Sequence, residues 1–391
     1  MGKADDTKFA VSQIKLQISW ERISSKMSNR MHSANALKIG LFGANCSNGL
    51  AATTVPERWE ANWDNNLSLA RMADEAGLEF MLPIARWRGF GGESQFQESV
   101  LETVTWAAGL LAATTGITVF ATTHVSYFHP VVAAKQIATM DHIGGGRYGL
   151  NIVCGWSQAE FDMFGIKLSL ETEGRYEYGQ EWFDIVRKIW TSSEPFDWSG
   201  KYFNLRGVKG HPKPTGGVLP PIMNAGASGP GQDFGARNAD SCFITMVSPE
   251  KGKMEVEAIK RSAKEKYLRD VTVSTNCYVV CRNTRKEAEE YHRYYTEECG
   301  DHEAAENLMS SLGVSSKSFS AEHYKLYKTR FLGGHGGYPI IGSPDDVADE
   351  LEKISHAGYA SVALSFVNYL NELPLFRDEV LTRLAARRVR A

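Results

Sequence analysis

The stretch Arg147-Tyr148-Gly149-Leu150-Asn151-Ile152-Val153-Cys154-Gly155-Trp156-Ser157-Gln158-Ala159-Glu160 gathers an amide, an aromatic plane and a carboxylate at the end of one apolar run. Leu150, Ile152 and Val153 read as a barrel-lining strand, and Gly155 lets the backbone turn or a ligand approach closely. Asn151, Trp156 and Glu160 then supply hydrogen bonds and a flat π surface at the strand end. That set suits a planar, hydrogen-bonding ligand such as a flavin ring. The same residues also fit a plain strand followed by a capped helix with Trp156 in the core.

Two further strand ends carry polar groups. The run Ile117 to Thr122 leads into Thr123-His124-Val125-Ser126-Tyr127-Phe128-His129-Pro130, which sets hydroxyls and imidazoles just before a helix that starts at Pro130. Thr122 is a candidate site residue, although a strand-end threonine also serves as a β-former that satisfies local backbone groups. His124 and His129 read either as acid–base groups or as hydrogen-bonded loop residues, and no His/Asp/Glu set here has metal-ligand spacing, so no metal centre is expected. The run Pro221 to Gly231 is a small-residue turn that opens a helix. Its backbone N–H groups and the Ser228 hydroxyl could hold an anion without net positive charge. Arg175 and Tyr176, at the start of the preceding long helix, could reach the same phosphate. Alone, the turn is also what a tight strand-to-helix connection needs, and Arg175 also reads as a solvated charge.

The elements that must position these residues alternate. Strand patterns occur at 38–44, 78–83, 117–122, 147–153, 221–225, 241–247, 271–281 and 360–367, with helical patterns at 64–77, 98–114, 130–142, 174–191, 251–267, 284–299 and 343–357. Eight strands interleaved with helices predict an α/β fold, a (β/α)8 TIM barrel with insertions. An open nucleotide-binding sheet is disfavoured, because no Gly-x-Gly-x-x-Gly follows the first strand. The barrel domain is expected over 37–391, with insertions near 193–220 and 300–342. The second of these, with Gly333-Gly334-His335-Gly336-Gly337, reads as a mobile lid. Residues 1–36 read as an N-terminal extension, with a short element around Val11–Trp20, a late translation start or a dimer-contacting arm as alternatives. In such a barrel the chemistry belongs at the C-terminal strand ends.

Composition narrows the classes. With 43% hydrophobic and 23% charged residues and a net charge of -3, the chain has no basic excess for nucleic acid or anionic lipid. The six cysteines are dispersed, and the one close pair, Cys277 and Cys281, sits in a strand-like run with no partner pair at metal spacing. Reduced thiols in the cytoplasm are the expectation. No run is apolar for the ~18 residues a membrane span needs, and no early segment has a signal-peptide centre.

Taken in order, these pieces resemble the flavin-dependent luciferase-like monooxygenases. The likeness covers most of the chain from Lys38 to about Asp240 and, weakly, the last ~50 residues. It rests on Arg86-Trp87-Arg88-Gly89-Phe90-Gly91-Gly92, the Asp141-to-Arg147 turn, the Asn151 to Glu160 block, Arg175-Tyr176, the Lys201-to-Pro214 excursion and Asn224-Ala225-Gly226-Ala227-Ser228. Within the family the pyrimidine monooxygenases of uracil degradation are most similar, and the dimethyl sulfone monooxygenases next.

The resemblance implies a bacterial-luciferase-like barrel that binds FMN through the backbone at Ala85 and Arg86 and through Asn151, Glu160, Arg175, Tyr176 and Ser228. It implies an oxygen-handling pocket at Thr122 and Asn151, with Trp156 as an aromatic wall, Glu160 orienting flavin or substrate, and His124 as a further catalytic candidate. It also implies FMNH2 delivered by diffusion from a separate NAD(P)H:flavin reductase, O2 as co-substrate, a homodimer or homotetramer, and oxygen insertion through a flavin peroxide. Cys154 departs from the threonine of the pyrimidine enzymes, and the 124–130 loop is nearer the sulfone enzymes. The expected substrate is a nitrogen heterocycle or cyclic amide. A sulfone or sulfonate, hydride transfer with a deazaflavin, and a non-catalytic flavin-binding barrel are the alternatives.

Overall fold

Apolar strands alternating with amphipathic helices make a sheet whose outer face the helices cover, and here that sheet closes on itself. The computed structural model describes residues 29–167, 172–314 and 320–390. Residues 1–28, including Val11–Trp20, lie outside the described residues. The strands are β1 (Lys38–Phe42), β2 (Phe80–Leu82), β3 (Thr118–His124), β4 (Tyr148–Val153), β5 (Phe196–Ser199), β6 (Asn204–Val208), β7 (Ile222–Asn224), β8 (Ser241–Phe243), β9 (Thr272–Cys281), β10 (Tyr338–Gly342) and β11 (Ser361–Ser365). The ring is parallel, in the order β9-β11-β1-β2-β3-β4-β7-β8, and β8 closes on β9. These eight strands are the eight expected from the sequence, and the fold is the (β/α)8 barrel.

Alternation along each strand decides what faces the axis. Leu150 and Ile152 pack outward beneath the helices with Tyr148, not into the barrel, while Asn151 and Val153 face inward. The lower barrel is filled by Phe80, Leu82, Phe120, Met223, Phe243 and Ala363. Glycine makes room for the two largest rings, since a Cβ at Gly40 would stand 2.5 Å from Phe80 and one at Gly149 2.5 Å from Phe120. The barrel is therefore solid below and hollow above.

Residues 29–36 close the N-terminal face. Thr118 Oγ1 donates to Asn29 Oδ1 (2.7 Å), Asn29 Nδ2 donates to the Gly146 carbonyl (2.9 Å), and Arg30 pairs with Asp74 at 3.1 Å. Asp74 in turn accepts from the backbone N–H groups of Thr115, Gly116 and Ile117. The C-terminal end joins the same face, where Arg390 meets Glu79 (3.3 Å) and the Gly77 carbonyl (2.8 Å).

Both insertions have regular structure. Within 193–220, β5 and β6 form an antiparallel hairpin, anchored by Glu181 accepting from Trp198 Nε1 and from the Tyr202 and Phe203 backbone N–H groups. Within 300–342 stand the helices His302–Ser311 and Ala321–Gly334, then β10, which lies outside the barrel along the second half of β9. Ala304, Leu308, Met309, Phe331 and Leu332 from this insertion pack with Phe90 and Phe96 of the β2 loop and against Trp156. The segment read as a lid or an insertion contains a roof of packed helices with its own apolar core.

Candidate active site

Beneath that roof lies a cavity of about 660 Å3 at the C-terminal ends of the strands. Its size falls within the roughly 300–1,000 Å3 of small-molecule sites. Six of the residues expected at a site line it: Ala85, Arg86, Thr122, His124, Asn151 and Trp156.

The β3–β4 register sets Thr122 beside Asn151. The Thr122 hydroxyl donates to the Pro83 carbonyl (2.7 Å), and Asn151 Nδ2 donates to Thr122 Oγ1 (3.1 Å). A carbonyl cannot donate, so the Thr122 proton is committed to Pro83, and only the amide nitrogen of Asn151 can meet the hydroxyl oxygen. The amide orientation is thereby fixed. Asn151 Oδ1 is buried without a partner. A buried acceptor left unpaired costs about 1–3 kcal/mol, so the position calls for a donor from a bound molecule.

Arg86 is buried on the cavity wall. Its guanidinium stacks over Trp156 at 4.9 Å and Phe90 at 4.8 Å and pairs with Glu160 at 3.7 Å. Glu160 is 1% exposed and does not line the cavity. The carboxylate accepts from the Trp87 backbone N–H and the Tyr127 hydroxyl, both at 3.0 Å, so it holds the β2 loop and Arg86 in place. Ser157 caps the short helix that carries Glu160. Burial depresses the Arg86 pKa while Glu160 supports its charge. His124 lines the cavity with Nδ1 unpartnered; burial, then the Arg86 charge, pulls its pKa down to about 3, so the imidazole is neutral. Burial pushes the Cys154 thiol up to about 12, which leaves it unreactive.

The remaining expected residues, Arg175, Tyr176 and Ser228, do not line this cavity. Asn224 fixes the turn after β7 by donating to the Ile152 carbonyl (2.8 Å) and accepting from Gly226 N–H (3.1 Å). Ser228 caps the exposed start of the helix Gly229–Asn238 and hydrogen-bonds Tyr176. Arg175 Nη1 donates to the Gly155 carbonyl at 2.5 Å, which ties the long helix Thr172–Thr191 to the loop after β4. A Cβ at Gly229 would meet nothing within 4 Å, whereas one at Gly231 would stand 2.5 Å from the Tyr176 hydroxyl oxygen. Ser228 follows Ala225 and Ala227 of the cavity wall in the chain, while Tyr176 lines a neighbouring cleft with Gly229 and Pro230.

Several cavity residues were not singled out from the sequence: Asn276, Phe331 and His335. His335 lay in the glycine-rich run read as a lid, where a lone imidazole among four glycines was an available signal. Asn276 was hidden in the alternation of β9, as a polar residue at an inward position.

The luciferase-like monooxygenase family model matches residues 40–361. The chain belongs to that family. It is 29% identical over 355 residues to an FMNH2-dependent dimethylsulfone monooxygenase of Pseudomonas fluorescens, covering 89% of this chain and 94% of the relative. Identity is 30% over 363 residues to the pyrimidine monooxygenase RutA of Bradyrhizobium sp., covering 90% and 99%. Among solved structures, riboflavin lyase RcaE, with modified FMN and riboflavin, superposes with a TM-score of 0.81 at 20% identity, covering 91% and 92%. That likeness concerns the fold.

Proposed function

We propose that this chain is an FMNH2-dependent, two-component monooxygenase that places one oxygen atom of O2 into a neutral small molecule, a nitrogen heterocycle or cyclic amide. The observation that carries the reading is the locked Asn151 amide, whose unpaired acceptor belongs to a cavity also lined by the Trp156 ring. A flavin ring brings N–H donors to such an acceptor, and the Ser228 and Tyr176 hydroxyls suit its phosphate. Bound FMNH2 supplies the electrons that activate O2.

The chain's own groups do the rest. Thr122 orients Asn151, Glu160 steadies Arg86 against Trp156, and the roof helices His302–Ser311 and Ala321–Gly334 cover the cavity. Among the described residues that line the cavity, Arg86 is the only cation, and it is matched by Glu160. An anionic sulfonate would find no free countercharge there. The similarity to an enzyme named as FMNH2-dependent supports reduced flavin arriving from a separate reductase.

The test mixes protein-bound FMNH2 with 18O2 and a panel containing uracil and 2-pyrrolidinone. One labelled oxygen per product molecule is expected. Substrate turnover under strict anaerobiosis would replace this reading with deazaflavin-type hydride transfer, and flavin reoxidation without label in any compound would leave only a flavin-binding barrel.

A further inference from the structure

His335 stands out on three independent counts. Its backbone is left-handed (φ 53°), a conformation that costs a non-glycine residue about 1 kcal/mol, and Gly336 follows in the same region (φ 80°). Its half-buried imidazole stands at the cavity wall with Nδ1 buried and unpartnered. The ring is walled by Phe90 and Phe96, with centroids 6.5 and 6.4 Å away. Two unfavourable features at one residue are retained where a bound molecule relieves one of them.

The glycines around it set the position. A Cβ at Gly333 would stand 2.7 Å from the Tyr278 ring and one at Gly334 2.4 Å from Tyr278 Cβ, so the end of the roof helix lies directly on β9. A Cβ at Gly337 would stand 2.8 Å from Asn276 Nδ2, so the same run lies against Asn276, whose Oδ1 is buried and unpartnered. Asn276 stands across the barrel ring from Asn151: β9 and β4 are separated by two strands one way round and by four the other. The cavity thus has two polar ends, Asn151 with Thr122 and Asn276 with His335.

Resting on the monooxygenase reading, we propose that His335 and Asn276 form the substrate-recognition end of the cavity and bind a neutral ring carrying adjacent N–H and C=O groups. An amide oxygen that lacks a donor selects for N–H, and an imidazole offers one donor and one acceptor. A cyclic amide satisfies both residues. A sulfone, which only accepts, leaves Asn276 Oδ1 unpaired. His124, also neutral and lining the cavity, needs no charged ligand either.

The experiment supplies the full-length protein with FMNH2 and O2 and reads oxygenated product per FMNH2 oxidised, with KM, for uracil, 2-pyrrolidinone, N-methyl-2-pyrrolidinone and dimethyl sulfone. The N–H compounds should couple, and their N-methylated or sulfone counterparts should couple at least roughly tenfold less well. His335→Ala and Asn276→Leu should each raise KM for the N–H compounds roughly tenfold with the FMN dissociation constant within about twofold. His335→Asn, which tolerates the left-handed backbone and keeps hydrogen-bonding capacity, should restore most of the loss and so separates recognition from folding. Dimethyl sulfone coupling better than the N–H compounds, or an unchanged KM in His335→Ala, overturns this inference while leaving the monooxygenase reading intact. No oxygenated product from any probe overturns both.

Discussion

At the scale of single residues, the hydrogen bonds around Thr122 separate orientation from direct chemistry. Its proton goes to Pro83, so it acts on a bound ligand through Asn151. Thr122→Val keeps the volume and removes the hydroxyl, which leaves the Asn151 amide free to turn and its nitrogen without an acceptor. The expected outcome is retained FMN binding with a lower yield of product and more of the reducing equivalents released as hydrogen peroxide. Unchanged coupling, measured as product against peroxide per FMNH2 consumed, would reduce Thr122 to a strand-end β-former. The sequence made Thr122 and Asn151 visible because both are polar residues at the ends of apolar strands. It did not reveal that Glu160 acts through Arg86, because that contact joins residues 74 positions apart whose approach only the closed barrel decides.

At the scale of elements, the roof helix Ala321–Gly334 is the informative case. Periodicity located the eight barrel strands well, since each is buried on both faces and reads as an apolar run. The same signal failed over 300–342. There, glycines that look like loop residues are in fact packing residues of a helix end, and β10 is a strand that pairs outside the ring. Gly334→Ala distinguishes the two meanings of those glycines. Alanine gains about 1 kcal/mol of helix propensity, but its Cβ would stand 2.4 Å from Tyr278 Cβ and 2.6 Å from Cδ1. Overpacking of this kind typically costs 1–3 kcal/mol or more, so the collision wins, and the variant should lose about 1–2 kcal/mol in urea unfolding. A variant as stable as the parent would mean the helix end yields easily and is a poor anchor for His335.

At the scale of the whole molecule, acid sensitivity follows from buried neutral histidines. Burial lowers His124 and His335 to about 3 and His292, stacked on Tyr278, to about 4, from an ordinary 6.5. Below pH 6.5 the unfolded chain takes up protons that the folded chain refuses, so stability falls from that pH down towards the folded values. The slope is at most about 1.4 kcal/mol per pH unit for each histidine. Urea midpoints should therefore drop between pH 7 and pH 5, and His335→Asn should show a shallower drop. An identical slope in the variant would exclude His335 from the titration. The closed lower face has a different consequence. Asn29 and Arg390 are both bound at the N-terminal end of the barrel, away from the cavity mouth at the opposite end. A reductase joined through a short linker directly before Asn29 or directly after Arg390 would release its reduced flavin on the far side of the barrel, so such a fusion gains little channelling over the two proteins mixed free, whereas attachment to a solid support at either of these points leaves the mouth turned towards the solution.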